Sequence, residues 1–243
     1  MSPRWLIKLE DVTISYKING QIHSPLRRQR IFTPLKGINF DVFEGEFLSI
    51  SGPNGSGKTS LLNVMSGVLQ PFKGTVSWQA SNFGFVAQDQ VLLPELSIRE
   101  NILLPYFLHK ERQKDDNISL EKMDPDLLER KLDEFVQRFK IEEILEKSPT
   151  TCSIGQQQRA LLVRALTLDK EIIFADEPEQ NLDSDGRVEL FQSFKEANKE
   201  LKKTIVLVTQ EHPDVLKNYA TRGIKIKDES ISEIFNNEID ETG

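Results

Sequence analysis

The segment from Gly52 to Thr59 constrains the fold most, because it fits the pattern G-x-x-x-x-G-K-[ST]. Glycines in such a loop let consecutive backbone N–H groups surround phosphate oxygens, and the following helix points its positive end at them. A short apolar segment, 47–51, precedes the loop, and apolar residues at helical spacing follow it in 60–67. The sequence therefore predicts a strand–loop–helix unit that binds the phosphates of a nucleoside triphosphate. The predicted phosphate-binding residues are Gly52, Pro53, Asn54, Gly55, Ser56, Gly57, Lys58, Thr59 and Ser60.

Two side chains of this loop have specific predicted roles. Lys58 is expected to reach the β- and γ-phosphates, and the Thr59 hydroxyl is expected to ligate Mg²⁺.

A second run places two carboxylates after four apolar residues, 172–175. This pattern puts Asp176 at the carboxyl end of a buried strand, where ligands bind in open α/β sheets. Asp176 suits the Mg²⁺ shell, and Glu177 is suited to orient or deprotonate an attacking water. Together with the phosphate-binding loop, the pair predicts a magnesium-dependent triphosphate site.

Composition limits the classes of partner and compartment. The chain has 243 residues and a formal net charge of −7, which argues against nucleic acid as the main partner. The single cysteine, Cys152, excludes an internal disulfide and fits a reducing compartment. No stretch has the build of a signal peptide or the length of an apolar membrane span. We therefore expect any membrane role to come through a partner.

The chain also changes character along its length. Strand-like patterns dominate up to Gln88, helical patterns dominate from 97 to about 168, and buried strand patterns return after that. The sequence predicts one domain, with an α/β core at about 1–88 and 166–243 and an inserted helical subdomain at about 89–165.

The run from Cys152 to Arg159 leads into a helical pattern at 160–168. It resembles the signature L-S-G-G-Q, which opens a helix in the ATP-binding-cassette (ABC) family. Ser153, Gly155 and Gln156 match, whereas Cys152 replaces the leucine and Ile154 replaces the first glycine. The resemblance implies that these residues of one subunit close over the ATP that the phosphate loop of another subunit holds. The partner is then a second ATP-binding subunit, in a homodimer or a heterodimer.

Other residues follow the order of the same family, and the resemblance covers about residues 6–231. Tyr16 is placed like the aromatic residue that stacks on adenine. Gln88 resembles the glutamine that senses Mg²⁺ and couples to the membrane partner, and Asp183 resembles a residue of the loop that crosses the dimer interface. The implied fold is α/β: a P-loop NTPase core of ABC ATPase type with an antiparallel β subdomain and an inserted helical subdomain.

The segments 92–102 and 175–184 resemble the branch of lipoprotein-releasing, macrolide-exporting and cell-division ATPases. Members of that branch act on permeases with large extracytoplasmic domains. The resemblance implies a subunit that binds ATP and Mg²⁺ on the cytoplasmic face of the cell membrane. There it contacts a coupling helix of the permease through Gln88 and residues 91–104.

Two departures from the family pattern concern the rate of hydrolysis. Ile154 is β-branched where the family has glycine. We expect it to weaken closure over the γ-phosphate if that position needs a close approach or a positive φ, and to be tolerated if the backbone angles are ordinary. The family's switch histidine aligns with Gln210 when counted from the preceding strand and with His212 when counted back from residues 220–228. We expect His212, with Gln210 as the alternative. An alternative function is a nucleotide-gated subunit with impaired hydrolysis that regulates or signals through a membrane partner.

Overall fold

The computed structural model describes residues 3–18, 30–80, 82–87, 92–112 and 125–237. The chain divides into two compact units, one formed by Met1–Ser81 with Lys202–Gly243 and the other by Asn82–Leu201. The predicted boundaries of the helical subdomain follow a different division and stay a prediction.

The strands and helices are numbered in chain order. The strands are β1 (Trp5–Ile18), β2 (Arg30–Phe43), β3 (Phe47–Ser51), β4 (Lys73–Trp78), β5 (Phe83–Ala87), β6 (Ile172–Asp176), β7 (Thr204–Val208), β8 (Arg222–Lys227) and β9 (Ser230–Asn236). The helices are α1 (Lys58–Met65), α2 (Ile98–Arg112), α3 (Pro125–Arg138), α4 (Ile154–Thr167), α5 (Ser184–Lys199) and α6 (Pro213–Leu216). Short 3₁₀ turns lie at Glu142–Ile144 and Pro149–Thr151.

The first unit contains an antiparallel sheet in the order β2-β1-β4. The long strands β1 and β2 pair from Ile7 opposite Val42 to Tyr16 opposite Phe32. Buried apolar residues of β1 alternate along much of its length, as expected for a sheet with one face on a core. This sheet brings the far end of the β1–β2 pair, with Tyr16, to the phosphate loop.

The first unit also contains parallel strands that carry the phosphate loop. Strand β3 lies between β7 and β8 and is parallel to both, and β9 is antiparallel to β8. All five residues of β3 and all five of β7 are buried, which fits strands that are covered on both faces. The loop after β3 therefore starts from a rigid, fully packed strand.

In the second unit, β5 and β6 are parallel, with Ala87 opposite Asp176 at their carboxyl ends. The ring of Phe174 on β6 contacts the rings of Phe83 and Phe85 at centroid distances of 5.5 and 5.6 Å. Helix α4 packs against β5, and α2, α3 and α5 pack on α4. These contacts fix the end of β6, where Asp176 and Glu177 follow.

A bulge in β1 depends on Gly74. A Cβ at this position would overlap the backbone of Asp11, and the φ of Gly74 is 89°. At Gly45, in the β2–β3 turn, φ is 72° but no atom lies within 4 Å of a built Cβ.

We predict that Gly45→Ala lowers the free energy of unfolding by about 1–2 kcal/mol, through backbone strain alone. Gly74→Ala is expected to lower it by about 1–3 kcal/mol more, because the strand must also shift. Denaturant unfolding of the two variants measures the difference, and equal costs would contradict the overlap at Asp11.

Candidate functional site

The phosphate loop packs tightly against strands β8 and β2 at two of its glycines. A Cβ at Gly52 would lie 2.7 Å from the carbonyl oxygen of Ile226, and one at Gly57 would lie 2.8 Å from the Cβ of Pro34. The loop thus leaves no room for side chains at these two positions. Helix α1 begins directly after Gly57, and its first turn contains no acidic residue. The loop and the helix start therefore present backbone N–H groups and the positive end of the helix dipole.

Two polar side chains of the loop are buried. Lys58 is 5% exposed, and its Nζ donates to the carbonyl oxygens of Gly52 at 3.1 Å and Pro53 at 3.5 Å. The Oγ of Ser56 is buried without a hydrogen-bond partner among the residues that the structure describes. A buried hydroxyl without a partner is costly, and phosphate oxygens would satisfy it. The loop therefore fits a polyphosphate.

An aromatic pair lies at the end of β1 and β2. The hydroxyl of Tyr16 donates to the Oγ of Ser60 at 2.8 Å, which ties the end of β1 to helix α1. Phe32, opposite Tyr16, is 44% exposed and lines a cavity of about 530 Å³. The cavity is also lined by Pro34, Pro53, Asn54, Ser56 and Lys227. Sequence reasoning missed Phe32; the signal that was available is its position opposite Tyr16 in a hairpin.

The segment after β7 separates the two candidates for the switch residue. Val208 is in register with Ile50, and the N–H of Thr209 donates to the carbonyl oxygen of Ile50 at 3.1 Å. Gln210 therefore follows at the level where the phosphate loop begins. His212 instead caps helix α6, where its Nδ1 accepts a hydrogen bond from the N–H of Asp214 at 3.3 Å.

The turn after β6 contains two residues in the left-handed region. The φ of Glu177 is 46° and that of Asn181 is 66°. Asparagine tolerates this conformation, whereas glutamate adopts it at a cost, and such residues are concentrated at functional sites. Two hydrogen bonds, Gln180 N–H to Glu177 O at 3.1 Å and Leu182 N–H to Glu179 O at 3.1 Å, hold the turn. No feature of the sequence pattern indicated this backbone geometry.

Asp183 follows the turn and caps helix α5. Its Oδ1 accepts a hydrogen bond from the N–H of Gly186 at 2.8 Å. The predicted interface residue therefore also fixes the start of the helix.

Ser153 and Gln156 form a capping box at the start of α4. The N–H of Ser153 donates to Oε1 of Gln156 at 2.8 Å, and the N–H of Gln156 donates to Oγ of Ser153 at 3.2 Å. Ile154 is the first helical residue, is 45% exposed and has no positive φ. A Cβ at Gly155 would meet only Leu182, at 3.8 Å. A positive φ, one of the two conditions under which Ile154 would disturb this loop, is therefore not met.

Comparison with known proteins decides the family. The profile of a protein family described as ABC transporter matches residues 35–180, which is more than half of the chain. The chain belongs to the ABC transporter family. It is 37% identical over 230 residues to the bacitracin export ATP-binding protein BceA of Halalkalibacterium halodurans, covering 88% of this chain and 84% of that protein. It is 30% identical over 247 residues to the lipoprotein-releasing system ATP-binding protein LolD 1 of Chlorobium chlorochromatii, covering 95% and 92%.

A solved structure supports the same fold. The ABC subunit resembles the dimeric ATP-binding cassette MJ0796 in a post-hydrolysis state bound to ADP and Pi, with a TM-score of 0.73 and 29% identity. The match covers 95% of this chain and 100% of that one. The predicted ABC ATPase fold, with its antiparallel β subdomain and P-loop core, is confirmed, as is the suspected branch. The chain is an ATP-binding subunit of a transport ATPase.

Some predicted features of the ABC subunit lie outside the described residues. Gln88 is one of them. Within 3–18, 30–80, 82–87, 92–112 and 125–237, no helix is long and apolar enough to cross a membrane. In the same ranges, no three His, Cys, Asp or Glu side chains are grouped as metal ligands. Mg²⁺ in nucleotide sites is generally held by one or two protein groups together with phosphate oxygens and water.

Proposed function

We propose that this ABC subunit binds ATP with Mg²⁺ and hydrolyses it to drive a membrane permease. The observation that carries the proposal is the phosphate loop, with buried Lys58 and the unpartnered hydroxyl of Ser56. Lys58 contributes the positive charge at the β- and γ-phosphates, and the Ser56 hydroxyl donates to a phosphate oxygen. Thr59, Asp176 and Gln88 would hold the Mg²⁺. When bound, that ion neutralises charge that develops on the phosphates.

The proposed base for hydrolysis is Glu177. It follows the Mg²⁺ ligand Asp176 directly, and its carboxylate accepts a proton from the attacking water or orients that water. The left-handed backbone of Glu177 supports the proposal, because strain of this kind is retained where a side chain must point in one direction.

The proposed working form is a dimer that contains two ATP molecules. Ser153, Gly155 and Gln156 of one subunit contact the ATP on the phosphate loop of the other, and Asp183 lies at the interface. The capping box supports this role, because it holds Ser153 at the positive end of a 14-residue helix. The partner is a second copy of this chain or a related ATP-binding subunit.

The proposed membrane partner is a permease on whose cytoplasmic side the subunit sits. The side chain of Leu93 supports this, because it is 42% exposed within residues 91–104, the segment for which the resemblance implies contact with a coupling helix. Phe107 and Leu108, which are 50% and 51% exposed, follow that segment on α2. The names of the relatives refer to bacitracin export and lipoprotein release, and we propose cargo movement of that outward class.

A second candidate function is a subunit that closes on ATP but hydrolyses it slowly. The observation that favours it is the register that brings Gln210, not a histidine, to the start of the phosphate loop. A glutamine can bond a phosphate oxygen but cannot carry the charge of an imidazolium. The test is ATP turnover by the purified chain. Turnover that rises with the square of chain concentration supports a hydrolysing dimer, whereas background turnover with ATP-dependent dimers supports the second candidate.

We predict that Gln210→Ala lowers turnover about tenfold, the cost of one hydrogen bond to a charged group. His212→Ala is expected to change turnover little and to lower the free energy of unfolding by about 1 kcal/mol, because it removes a helix cap. Steady-state turnover and denaturant unfolding of both variants separate the two roles. A turnover loss in His212→Ala alone would restore the histidine as the switch residue.

We predict that Tyr16→Ala raises the Kd for ATP about tenfold, because stacking on a base is worth about 1–3 kcal/mol. Tyr16→Phe keeps the ring and loses only the hydrogen bond to Ser60, so its Kd is expected to change less than threefold. Titration calorimetry with ATP measures both. Equal losses in the two variants would assign Tyr16 to anchoring helix α1 rather than to stacking.

A further inference from the structure

An exposed turn in the second unit is held by one buried side chain. The Pro94 turn, defined here as residues 93–96, closes through the N–H of Leu96 and the carbonyl oxygen of Leu93 at 3.1 Å. Asn101 on α2 is fully buried, and its Oδ1 accepts from the N–H of Leu93 at 2.7 Å. Its Nδ2 has two protons to share among three carbonyl oxygens within 3.2 Å, those of Leu93, Leu96 and Ser97. The turn therefore moves with the start of α2, while the side chain of Leu93 stays exposed.

Ser148 joins this turn to the segment that precedes α4. Its hydroxyl donates to the carbonyl oxygen of Pro94 at 3.0 Å. Because the single hydroxyl proton is used there, the 2.9 Å contact with Thr150 Oγ1 has Thr150 as donor, and the N–H of Thr150 also donates to Ser148. Next to it, the N–H groups of Ile98 and Arg99 donate to the carbonyl oxygens of residues 147 and 145, at 3.0 and 2.8 Å.

From Ser148 the hydrogen bonds continue to the start of α4. Ser148 caps the 3₁₀ turn Pro149–Thr151. Gln157 on α4 donates through Nε2 to the carbonyl oxygens of Pro149 at 3.0 Å and Cys152 at 3.1 Å. The next residue, Ser153, is held by the capping box. A contiguous set of hydrogen bonds thus connects the Pro94 turn to Ser153.

We propose that Ser148 is a positioning residue that couples the Pro94 turn to Ser153, so that a permease bound at the turn changes how Ser153 meets ATP. The proposal rests on the proposed function for the roles of its two ends. Its physical basis is that Ser148 is the side chain that bonds the turn directly to the 3₁₀ segment, so a displacement of the turn is passed to α4. Removing the hydroxyl leaves the carbonyl oxygen of Pro94 without this donor. The start of α2 keeps its backbone bonds to residues 145 and 147, but the turn loses its direct bond to Ser148.

The first test is amide hydrogen exchange of the full chain. Ser148→Ala removes the donor, Ser148→Thr keeps a hydroxyl, and Ser230→Ala is the matched control, since Ser230 donates to Lys227 O at 2.8 Å in the other unit. Ser148→Ala is expected to speed exchange severalfold at the amides of Leu96 and of Gln156 and Gln157. Ser148→Thr restores slow exchange, and Ser230→Ala changes none of these amides. Faster exchange confined to Thr150 and the turn would overturn the coupling.

The second test separates the coupling from the proposed function. In a Glu177→Gln chain, Ser148→Ala is expected to raise the ATP concentration for half-maximal dimer formation about fivefold. The Kd of ATP for the monomer is expected to stay unchanged. The loss of thermal stability is expected to be no larger than the loss that Ser230→Ala causes. If Ser148→Ala leaves the ATP concentration for half-maximal dimer formation unchanged, the proposed coupling is overturned. If the Glu177→Gln parent forms no dimer with ATP, the proposed dimer is wrong. In that case the hydrogen-exchange result alone tests whether Ser148 couples the Pro94 turn to Ser153.

Discussion

Glu177→Gln is expected to lower steady-state ATP turnover by about 10²–10⁴-fold, the range that removal of a general base covers. Glutamine has nearly the shape of glutamate and keeps the turn after β6, but its amide cannot accept a proton from water. ATP binding is expected to persist within about threefold, because the phosphate loop is untouched. A coupled-enzyme turnover assay and ATP titration of the same preparation measure the two quantities.

The matched control is Glu142→Gln, which removes the same charge from an exposed position in the same unit. Its turnover is expected to equal that of the unmodified chain. Turnover in Glu177→Gln that stays within twofold of this control would remove Glu177 from the mechanism.

Arg222→Met is expected to lower the free energy of unfolding by about 3–5 kcal/mol, because it leaves a buried carboxylate without its partner. Glu46 is 4% exposed, and its Oε1 lies 2.6 Å from Nε of Arg222. The guanidinium also donates to the carbonyl oxygen of Asp41 at 2.6 Å and lies over the ring of Phe40. The double variant Glu46→Gln with Arg222→Met is expected to lose less unfolding free energy than Arg222→Met alone, because the double variant leaves no unpaired charge at this buried site. Denaturant unfolding at neutral pH measures both.

The loss of unfolding free energy in Arg222→Met is expected to depend on pH through the titration of Glu46. Burial raises the pKa of Glu46 above its ordinary value, and Arg222 and the N–H of Phe43 partly offset that rise. A carboxyl with a raised folded-state pKa binds more protons when folded, so its contribution to stability falls as pH rises from the unfolded pKa through the folded one. Arg222→Met removes the positive charge that lowers the pKa of Glu46, so the folded-state pKa of Glu46 rises further. The loss of unfolding free energy in Arg222→Met is therefore expected to grow as the pH rises above the ordinary pKa of glutamate. A loss that shrinks with rising pH would contradict a buried Glu46 that ionises in the folded protein.

The fold and the phosphate loop could be predicted from the sequence because local patterns determine them. Gly57 and Lys58 stand in a motif whose geometry follows from the residue types. Strand β7 appears as an apolar run after Thr204, and β3 is a short, largely apolar segment that leads directly into the motif. Ile172–Asp176 is a strand with Asp176 at its end, as predicted. In each case the information lies within a few consecutive residues.

The remaining features depend on how the backbone turns locally and on which strands pair, and the residue types along the chain do not specify either. The left-handed φ of Glu177 follows from the hydrogen bonds of its turn, and the buried state of Asn101 follows from the way 92–97 folds onto α2. Counting along the chain left Gln210 and His212 both possible, and only the pairing of β7 with β3 distinguishes their positions. The backbone angles at Ile154 were also open in the sequence, and the helix that begins there gives this residue no positive φ.

The dimer is the central element of the account, because the phosphate loop and Ser153 are proposed to act on one ATP from two subunits. The most direct test is the mass of the Glu177→Gln chain by sedimentation velocity with Mg²⁺ and either ATP or ADP. The account predicts a dimer with ATP and a monomer with ADP. A monomer with both nucleotides, at ATP concentrations that saturate the loop, would contradict it.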